Sequence, residues 1–323
     1  MGSESALVLA LAGPTGSGKS ELALQLAAEL PIDIVSVDAT QIYRGLDIGS
    51  AKPAPSVQAA VRHHVINLRE PHERYSVGEF VRDAEAAIHD IHRRGRIPLL
   101  VGGTMLYFRA WLDGLAVLPG ADPALRAELD ARASQVGWPA LHAELASVDS
   151  VAAARIHPND AQRIQRALEV QRLTGRSLSE LTAAAIPASR DYAIVRWALV
   201  PQDRAALHVR IAKRFTAMLE QGFLEEVRQL AARGNLTARH ASMRAVGYRQ
   251  LWSHVQGAIT LQVACEQAVA ATRQLAKRQL TWINADAAWQ RLDPSDSVAV
   301  ANWRQQVVEI AGKPALANVK RPP

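Results

Sequence analysis

A single cysteine, Cys265, in a chain of 323 residues rules out an intrachain disulfide framework and a zinc site built from cysteines. Cys265 reads as a packing residue. No apolar run approaches the roughly 20 residues of a membrane span, and no basic segment at the N-terminus makes Leu7 to Ala12 a signal peptide. The expected setting is a reducing cytoplasm, away from membranes. Internal repeats are absent too. What the chain does have is 49% hydrophobic residues, enough for a packed core, and 37 Lys plus Arg against 31 Asp plus Glu, a net charge of +6. That excess favours polyanions through counterion release, though weakly by itself, because many nucleotide-binding enzymes are mildly basic.

Gly13, Pro14, Thr15, Gly16, Ser17, Gly18, Lys19 and Ser20 spell G-P-T-G-S-G-K-S, a complete phosphate-binding loop. Its context fits: Leu7 to Ala12 is a short apolar run of buried-strand type, and Ser20 to Leu30 opens a helix. Strand, loop and helix arrive in order. The glycines permit a tight turn that aims backbone N–H groups at phosphate oxygens, and Lys19 adds a mobile cation. Ser20 is placed to offer its hydroxyl to a Mg²⁺ ion bridging the phosphates, with the positive end of the helix behind it.

Further strands are expected at Ile32 to Val37, ending on Asp38, at Ile97 to Val101, ending on Gly102-Gly103-Thr104, and at Ala193 to Val200. Between Pro119 and Ser189 the pattern is helical or loop. Turn-rich segments, Pro119 to Pro123 and Ile186-Pro187-Ala188, punctuate the two ends of that stretch. The expected architecture is an α/β fold, a P-loop NTPase-like parallel sheet core formed by residues 1–119 and 190–323, with an inserted, mainly helical domain at 120–189. The tail from Gly312 is short and basic, and fraying is expected there.

In open α/β sheets ligands bind beyond the carboxyl ends of strands, and Asp38 stands at such an end. There it can accept a proton from a nucleophile, hold Mg²⁺ through water, or cap the next helix. The strand leading to Gly102 ends in glycine where a Walker-B aspartate is usual, which argues against a motor-type ATPase. Thr104 offers a hydroxyl or an N-cap. Basic residues recur at helical spacing in Arg210 to Phe215 and in Thr272 to Gln279. They are solvated faces, or, near a pyrophosphate, they neutralise a leaving group; Arg210 is the candidate for that role. In the insertion, His157-Pro158-Asn159-Asp160 precedes a helix with an apolar stripe at Ile164 and Leu168. Gln162, Arg163 and Arg166 lie opposite, facing a nucleic acid or only water. His157 has no second histidine or cysteine at ligand spacing, so a structural hydrogen bond is the expectation.

The ordered set of motifs resembles the bacterial tRNA dimethylallyltransferase family. The set comprises the phosphate loop, Asp38 to Tyr43, Asp47 to Pro53, Gly102 to Tyr107, His157 to Asp160, Gln162-Arg163, Gly222-Phe223, Arg244 to Trp252 and Thr272 to Trp282. The likeness spans roughly residues 7 to 283. It implies transfer of a dimethylallyl group from dimethylallyl diphosphate to the exocyclic amine of the adenosine immediately 3′ of a tRNA anticodon, forming N6-dimethylallyladenosine and releasing diphosphate. By the same resemblance the phosphate loop with Lys19 holds the diphosphate with Mg²⁺, Asp38 takes the amine proton, and Thr104 orients the reacting centre. Contacts to the tRNA anticodon stem loop are implied for Asp38, Ala39, Thr40, Gln41, Thr104, Arg126, Gln162, Arg163, Ile164, Gln165 and Arg166. Arg244, Ala245, Val246, Gly247, Tyr248, Arg249, Arg273, Lys277 and Arg278 are implied as well.

Two positions depart from the family pattern: Ala39 stands where serine is common, and Thr40 where an apolar residue is common. The zinc-finger extension of eukaryotic relatives is missing, which points to the bacterial type, and a monomer is expected. Trp138, Trp252 and Tyr248 are stacking surfaces or core residues. A small-molecule kinase would share only the phosphate loop, a prenyltransferase of free adenine nucleotides would not need the long insertion, and a non-catalytic RNA-binding protein would not need Asp38.

Overall fold

The computed structural model describes residues 6–114, 116, 118–183 and 192–312. Among the described residues six strands form one parallel sheet: β1 (Ala6–Ala12), β2 (Ile32–Val37), β3 (His63–His64), β4 (Ile97–Gly102), β5 (Tyr192–Leu199) and β6 (Gln290–Leu292), in the order β3-β2-β4-β1-β5-β6. β1 runs through the middle, with Val8 to Ala12 fully buried. Such a continuous apolar run is what a parallel strand covered on both faces requires. The register sets Leu9 beside Leu99 on one side and Val195 on the other, and Ser36 beside Val101. β2 and β4 lie on one side of β1 and β5 on the other, so the strand order reverses beside the phosphate loop, where open α/β sheets form their binding crevice.

Helices seal the faces. Lys19–Glu29 buries Ala23 and Leu26 in a cluster with Leu9, Leu11, Ile34, Leu99 and Val101. Val77–Arg93 starts from a reciprocal capping box between Ser76 and Glu79 and buries Phe80, Ala84, Ala87, Ile88 and Ile91, one stripe at helical spacing. At the start of β2, buried Asp33 accepts from Arg96 Nε at 2.6 Å, Arg94 Nη1 at 2.8 Å and His64 Nε2 at 3.2 Å. Burial alone would raise the pKa of this carboxyl, but those hydrogen bonds outweigh burial and lower it. No helix among the described residues is long and apolar enough to cross a membrane.

The chain divides into two compact units, Met1–Arg109 with Arg190–Pro323, and Ala110–Ser189. In the second, Pro123–Val136, Trp138–Val148, Ser150–Arg155, Ala161–Thr174 and Leu178–Ala183 are helical. Its core comprises Leu129, Leu141, Leu145, Ile164 and Leu168, with Trp138 packed at the edge. Glu169 is wholly buried there and takes hydrogen bonds from Arg126 at 2.7 and 2.9 Å, Arg166 Nη1 at 2.7 Å and the Asp122 N–H at 2.9 Å. Burial would raise its pKa, yet these bonds prevail and bring it to about 2.

Strand β5 begins at Tyr192, one residue ahead of the expected Ala193, and two short strands, β3 and β6, join the sheet without an obvious apolar run to announce them. The Ile186-Pro187-Ala188 turn and the tail beyond Gly312 lie outside the described residues.

Candidate active site

The loop between β1 and the helix Lys19–Glu29 is shaped by glycine. Gly16 and Gly18 have φ of +77° and +90°, in the left-handed region that other residues rarely occupy. The Ser17 N–H donates to the Pro14 carbonyl at 3.2 Å, and Lys19 Nζ reaches the same oxygen at 3.2 Å. Thr15 is held from two directions. Its N–H donates to Gln279 Oε1 at 2.9 Å, and its hydroxyl accepts from Arg214 Nη1 at 3.3 Å. Burial, then the nearby Arg214 charge, pushes the Lys19 ammonium down to about 8, against an opposing pull from Asp38. Arg214 is lowered too, by burial, and Asp38 again opposes. Two cations and one carboxylate therefore act on one another across a single cleft.

Asp38 follows β2, and Thr104 follows β4, the neighbouring strand. The Thr104 N–H donates to the Val37 carbonyl at 3.1 Å and the Ala39 N–H donates to Thr104 Oγ1 at 3.0 Å, so the two strand ends are tied reciprocally. A Cβ at Gly102 would sit 2.0 Å from the Val37 carbonyl oxygen. That contact explains why this strand ends in glycine and why a Walker-B aspartate has no room here. Asp38 Oδ1 accepts from the Thr40 N–H at 2.8 Å and from the Thr40 hydroxyl at 2.6 Å. With Oδ1 committed to Thr40, Oδ2 is the oxygen left to act in the cleft that Asp38 lines.

The loop behind Asp38 is built to hold still. Gln41 accepts from the Ser36 hydroxyl at 2.7 Å and donates to the Ser50 and Ala51 carbonyls at 3.3 and 3.2 Å. Lys52 spends its three protons on the Tyr43 carbonyl, Asp47 Oδ1 and Asn67 Oδ1, at 2.7, 2.6 and 2.7 Å. The Glu226 carboxylate accepts from the N–H groups of Asp47, Ile48 and Gly49 and from the Tyr248 hydroxyl. Phe223 packs so closely that a Cβ at Gly49 would lie 2.1 Å from its ring. Polar groups partnered as completely as these fix one conformation.

These elements enclose a cleft of about 610 Å³. Thr15, Lys19, Ser20, Asp38, Ala39, Thr40, Gln41 and Thr104 line it, as do Arg244, Ala245, Val246, Gly247 and Arg278. Arg210 does not. On the helix Arg204–Glu220 the buried positions are Leu207, Ile211, Phe215 and Met218, and Arg214, three residues after Ile211 and four before Met218, borders that stripe and lines the cleft. Arg210 lies further round and is exposed. The arginine that meets the phosphate loop is therefore Arg214, 3.3 Å from the Thr15 hydroxyl, and not the expected Arg210, which stays outside the cleft.

Other expected contacts fall outside the cleft. Tyr248 is fully buried and bonded to Glu226, which removes it as a stacking surface, and Trp252 is nearly as buried. Arg249, Arg273 and Lys277 are exposed without lining the cleft. In the helical unit, Ile164 is wholly buried, so its side chain offers no surface to RNA. Arg126 and Arg166 are engaged with Glu169, and Gln165 Nε2 donates to Asp130 at 2.7 Å and to the Arg126 carbonyl. Gln162 and Arg163 are exposed. His157 Nδ1 accepts from the Asn159 N–H at 3.1 Å, a local structural bond. Gln279 and Trp282, which no motif singled out individually, line the cleft; Gln279 bridges the phosphate loop to Gly103, whose carbonyl accepts from Nε2 at 2.8 Å.

Chemically, the cleft joins an anion-binding loop with two cations to a carboxylate on the neighbouring strand ends. Among the described residues no cluster of three His, Cys, Asp or Glu side chains is placed to hold a metal. The Ser20 hydroxyl suits a hard cation that takes most of its ligands from bound phosphate and water, the usual habit of Mg²⁺.

Comparison with known proteins matches residues 41–286 to the family model described as IPP transferase, and residues 6–73 to that described as isopentenyl transferase. The tRNA dimethylallyltransferase of Bordetella petrii is 56% identical over 289 residues, covering 88% of this chain and 91% of the relative. That of Methylococcus capsulatus is 55% identical over 284 residues, covering 87% and 91%. Among solved structures, the tRNA isopentenylpyrophosphate transferase of Bacillus halodurans aligns with a TM-score of 0.68 at 34% identity over 94% of this chain and 96% of that one. A eukaryotic dimethylallyltransferase acting on tRNA aligns with a TM-score of 0.74 at 28% identity over 95% of this chain and 78% of that one.

Proposed function

The chain belongs to the tRNA dimethylallyltransferase family, and on that footing we propose that its cleft transfers a dimethylallyl group from dimethylallyl diphosphate to the exocyclic amine of the tRNA adenosine immediately 3′ of the anticodon. The observation that carries the reading is the meeting of Asp38, Lys19 and Arg214 in one cleft. The exocyclic nitrogen attacks C1 of the dimethylallyl group, the C1–O bond breaks, and the electron pair leaves with the diphosphate. The nitrogen sheds a proton to Asp38 Oδ2.

Each part answers a difficulty of this reaction. An adenine amine is a poor nucleophile, so the transfer needs alignment, a base and stabilisation of the departing charge. Lys19, Arg214 and the N–H groups of the phosphate loop receive the diphosphate. Thr104, whose oxygen already accepts from the Ala39 N–H, has its own proton to donate at the reacting centre. Thr40 and the Gln41 ties hold Asp38 in one orientation. Family membership supports a divalent-cation-dependent transfer. Bound Mg²⁺ would add positive charge on the diphosphate, with the Ser20 hydroxyl as its protein ligand.

The adenosine must leave its stack to reach Asp38, which costs less in a single-stranded loop than in a duplex. Arg244 and Arg278 at the cleft, and Gln162 and Arg163 on the helical unit, are the exposed groups suited to the RNA backbone. The test is incubation with unmodified total tRNA, Mg²⁺ and labelled dimethylallyl diphosphate, followed by mapping of the labelled nucleoside. Label in N6-dimethylallyladenosine 3′ of the anticodon is expected. ATP hydrolysis or phosphate transfer without prenylated tRNA, or preferential prenylation of free AMP, would overturn the reading.

A further inference from the structure

The helix Leu261–Ala285 turns one stripe toward the cleft, Thr272, Leu275, Gln279 and Trp282, at helical spacing. Gln279 is buried and bonded on both sides, whereas Trp282 keeps 39% of its surface exposed. Leu106, on the helix Met105–Asp113, also lines the cleft and is 50% exposed. One turn further on, Arg109 places its guanidinium carbon 5.7 Å from the centroid of the Trp282 ring. A large aromatic and a leucine that stay partly exposed at a cleft, with Arg278 at hand, have the composition of a nucleic-acid stacking platform and not of a closed core.

We propose that Trp282, at a cleft that Leu106 also lines, is the surface on which a nucleobase adjoining the target adenosine stacks, while Arg278 draws the neighbouring phosphate. The proposal rests on the reading of the cleft given above. When the adenosine is extruded, the base beside it loses a stacking partner, and an exposed indole restores that contact without regard to base identity. The exposed Arg278, one turn before Trp282 on the same helix, complements a phosphate beside that base.

Prenyl transfer by the full chain decides it, with tRNA and labelled dimethylallyl diphosphate varied in turn for the wild type, Trp282→Ala and Trp282→Phe. Trp282→Ala is expected to raise the KM for tRNA about tenfold, the scale of one base–aromatic stack, with the KM for the donor unchanged. Trp282→Phe should restore most of the loss. An unchanged KM for tRNA, or a rise confined to the donor, which would put the ring on the isoprenoid, overturns the proposal. Tryptophan fluorescence during titration with unmodified tRNA, without donor, gives a second measure: RNA should quench the wild type, and Trp282→Phe should lose most of that quench. A quench undiminished in Trp282→Phe overturns the platform whether or not Trp282→Ala folds. A wild type that binds tRNA with this quench but transfers no prenyl group would instead overturn the function and leave the platform standing.

Discussion

With Lys19 proposed to hold the diphosphate, donor binding should depend on pH in a direction set by its depressed pKa. Burial and the Arg214 charge hold its free pKa at about 8, well below the 10.5 of an ordinary lysine. A diphosphate bound beside it favours the ammonium and raises the pKa in the complex, so binding takes up a proton wherever free Lys19 has lost it. Affinity for dimethylallyl diphosphate should therefore be full below pH 8 and fall about tenfold for each pH unit above it, until the pKa of the complex is reached. The donor's terminal phosphate, with a second pKa near about 6, is already ionised and adds no slope of its own. Calorimetric titration of the donor at pH 7, 8, 9 and 9.5, in buffers of different ionisation enthalpy, would record the weakening together with an uptake approaching one proton. Lys19→Arg, which keeps the charge at every pH tested, should bind with a flat profile. A flat wild-type profile, or the same slope in Lys19→Arg, would refute the assignment of a depressed Lys19 to the diphosphate.

Three further outcomes follow from named contacts. Thr40→Val keeps the N–H bond to Asp38 and removes the hydroxyl bond, so kcat should fall about tenfold, the scale of a hydrogen bond to a charged group. Both KM values should stay put, and Thr40→Ser should recover kcat; a shift in KM alone would contradict this role. Gly102→Ala forces a methyl onto the Val37 backbone and should cost about 3 kcal/mol in denaturant unfolding, at the upper end of overpacking. Glu169→Ala strands two guanidinium groups and the Asp122 N–H, at a cost of about 3–5 kcal/mol. The folded-state pKa of Glu169 lies below its ordinary 4.5, so this stabilisation is full above pH 4.5 and is lost as pH falls toward about 2, which acid unfolding of the wild type against Glu169→Ala would measure.

Much of the cleft was legible because its parts are local. The phosphate loop, the strand ending on Asp38 and the glycine pair before Thr104 each declare themselves within a few residues. What stayed hidden is tertiary. Choosing between Arg210 and Arg214 needs the phase of the helix, which Leu207, Ile211, Phe215 and Met218 set together and which puts Arg214 beside the buried stripe. Motif neighbourhood drew attention to Ile164, Tyr248 and Trp252, but burial withdraws all three, while Trp282, in the last turns of its helix, remains exposed. The tie from Gln279 to Thr15 joins residues 264 positions apart, and no pattern along the chain encodes it. Strands β3 and β6, of two and three residues, are too short to show a periodicity of their own and exist because a longer neighbour offers an edge.

The rate of prenyl transfer by Asp38→Asn bears most directly on the proton acceptor. Asparagine keeps an oxygen for the Thr40 N–H and hydroxyl but cannot take a proton from the amine. In a single turnover with saturating tRNA and labelled donor, the rate should drop at least about a hundredfold, the usual reach of a general base, with tRNA binding retained and donor binding no weaker. Turnover by Asp38→Asn at close to the wild-type rate would contradict the account.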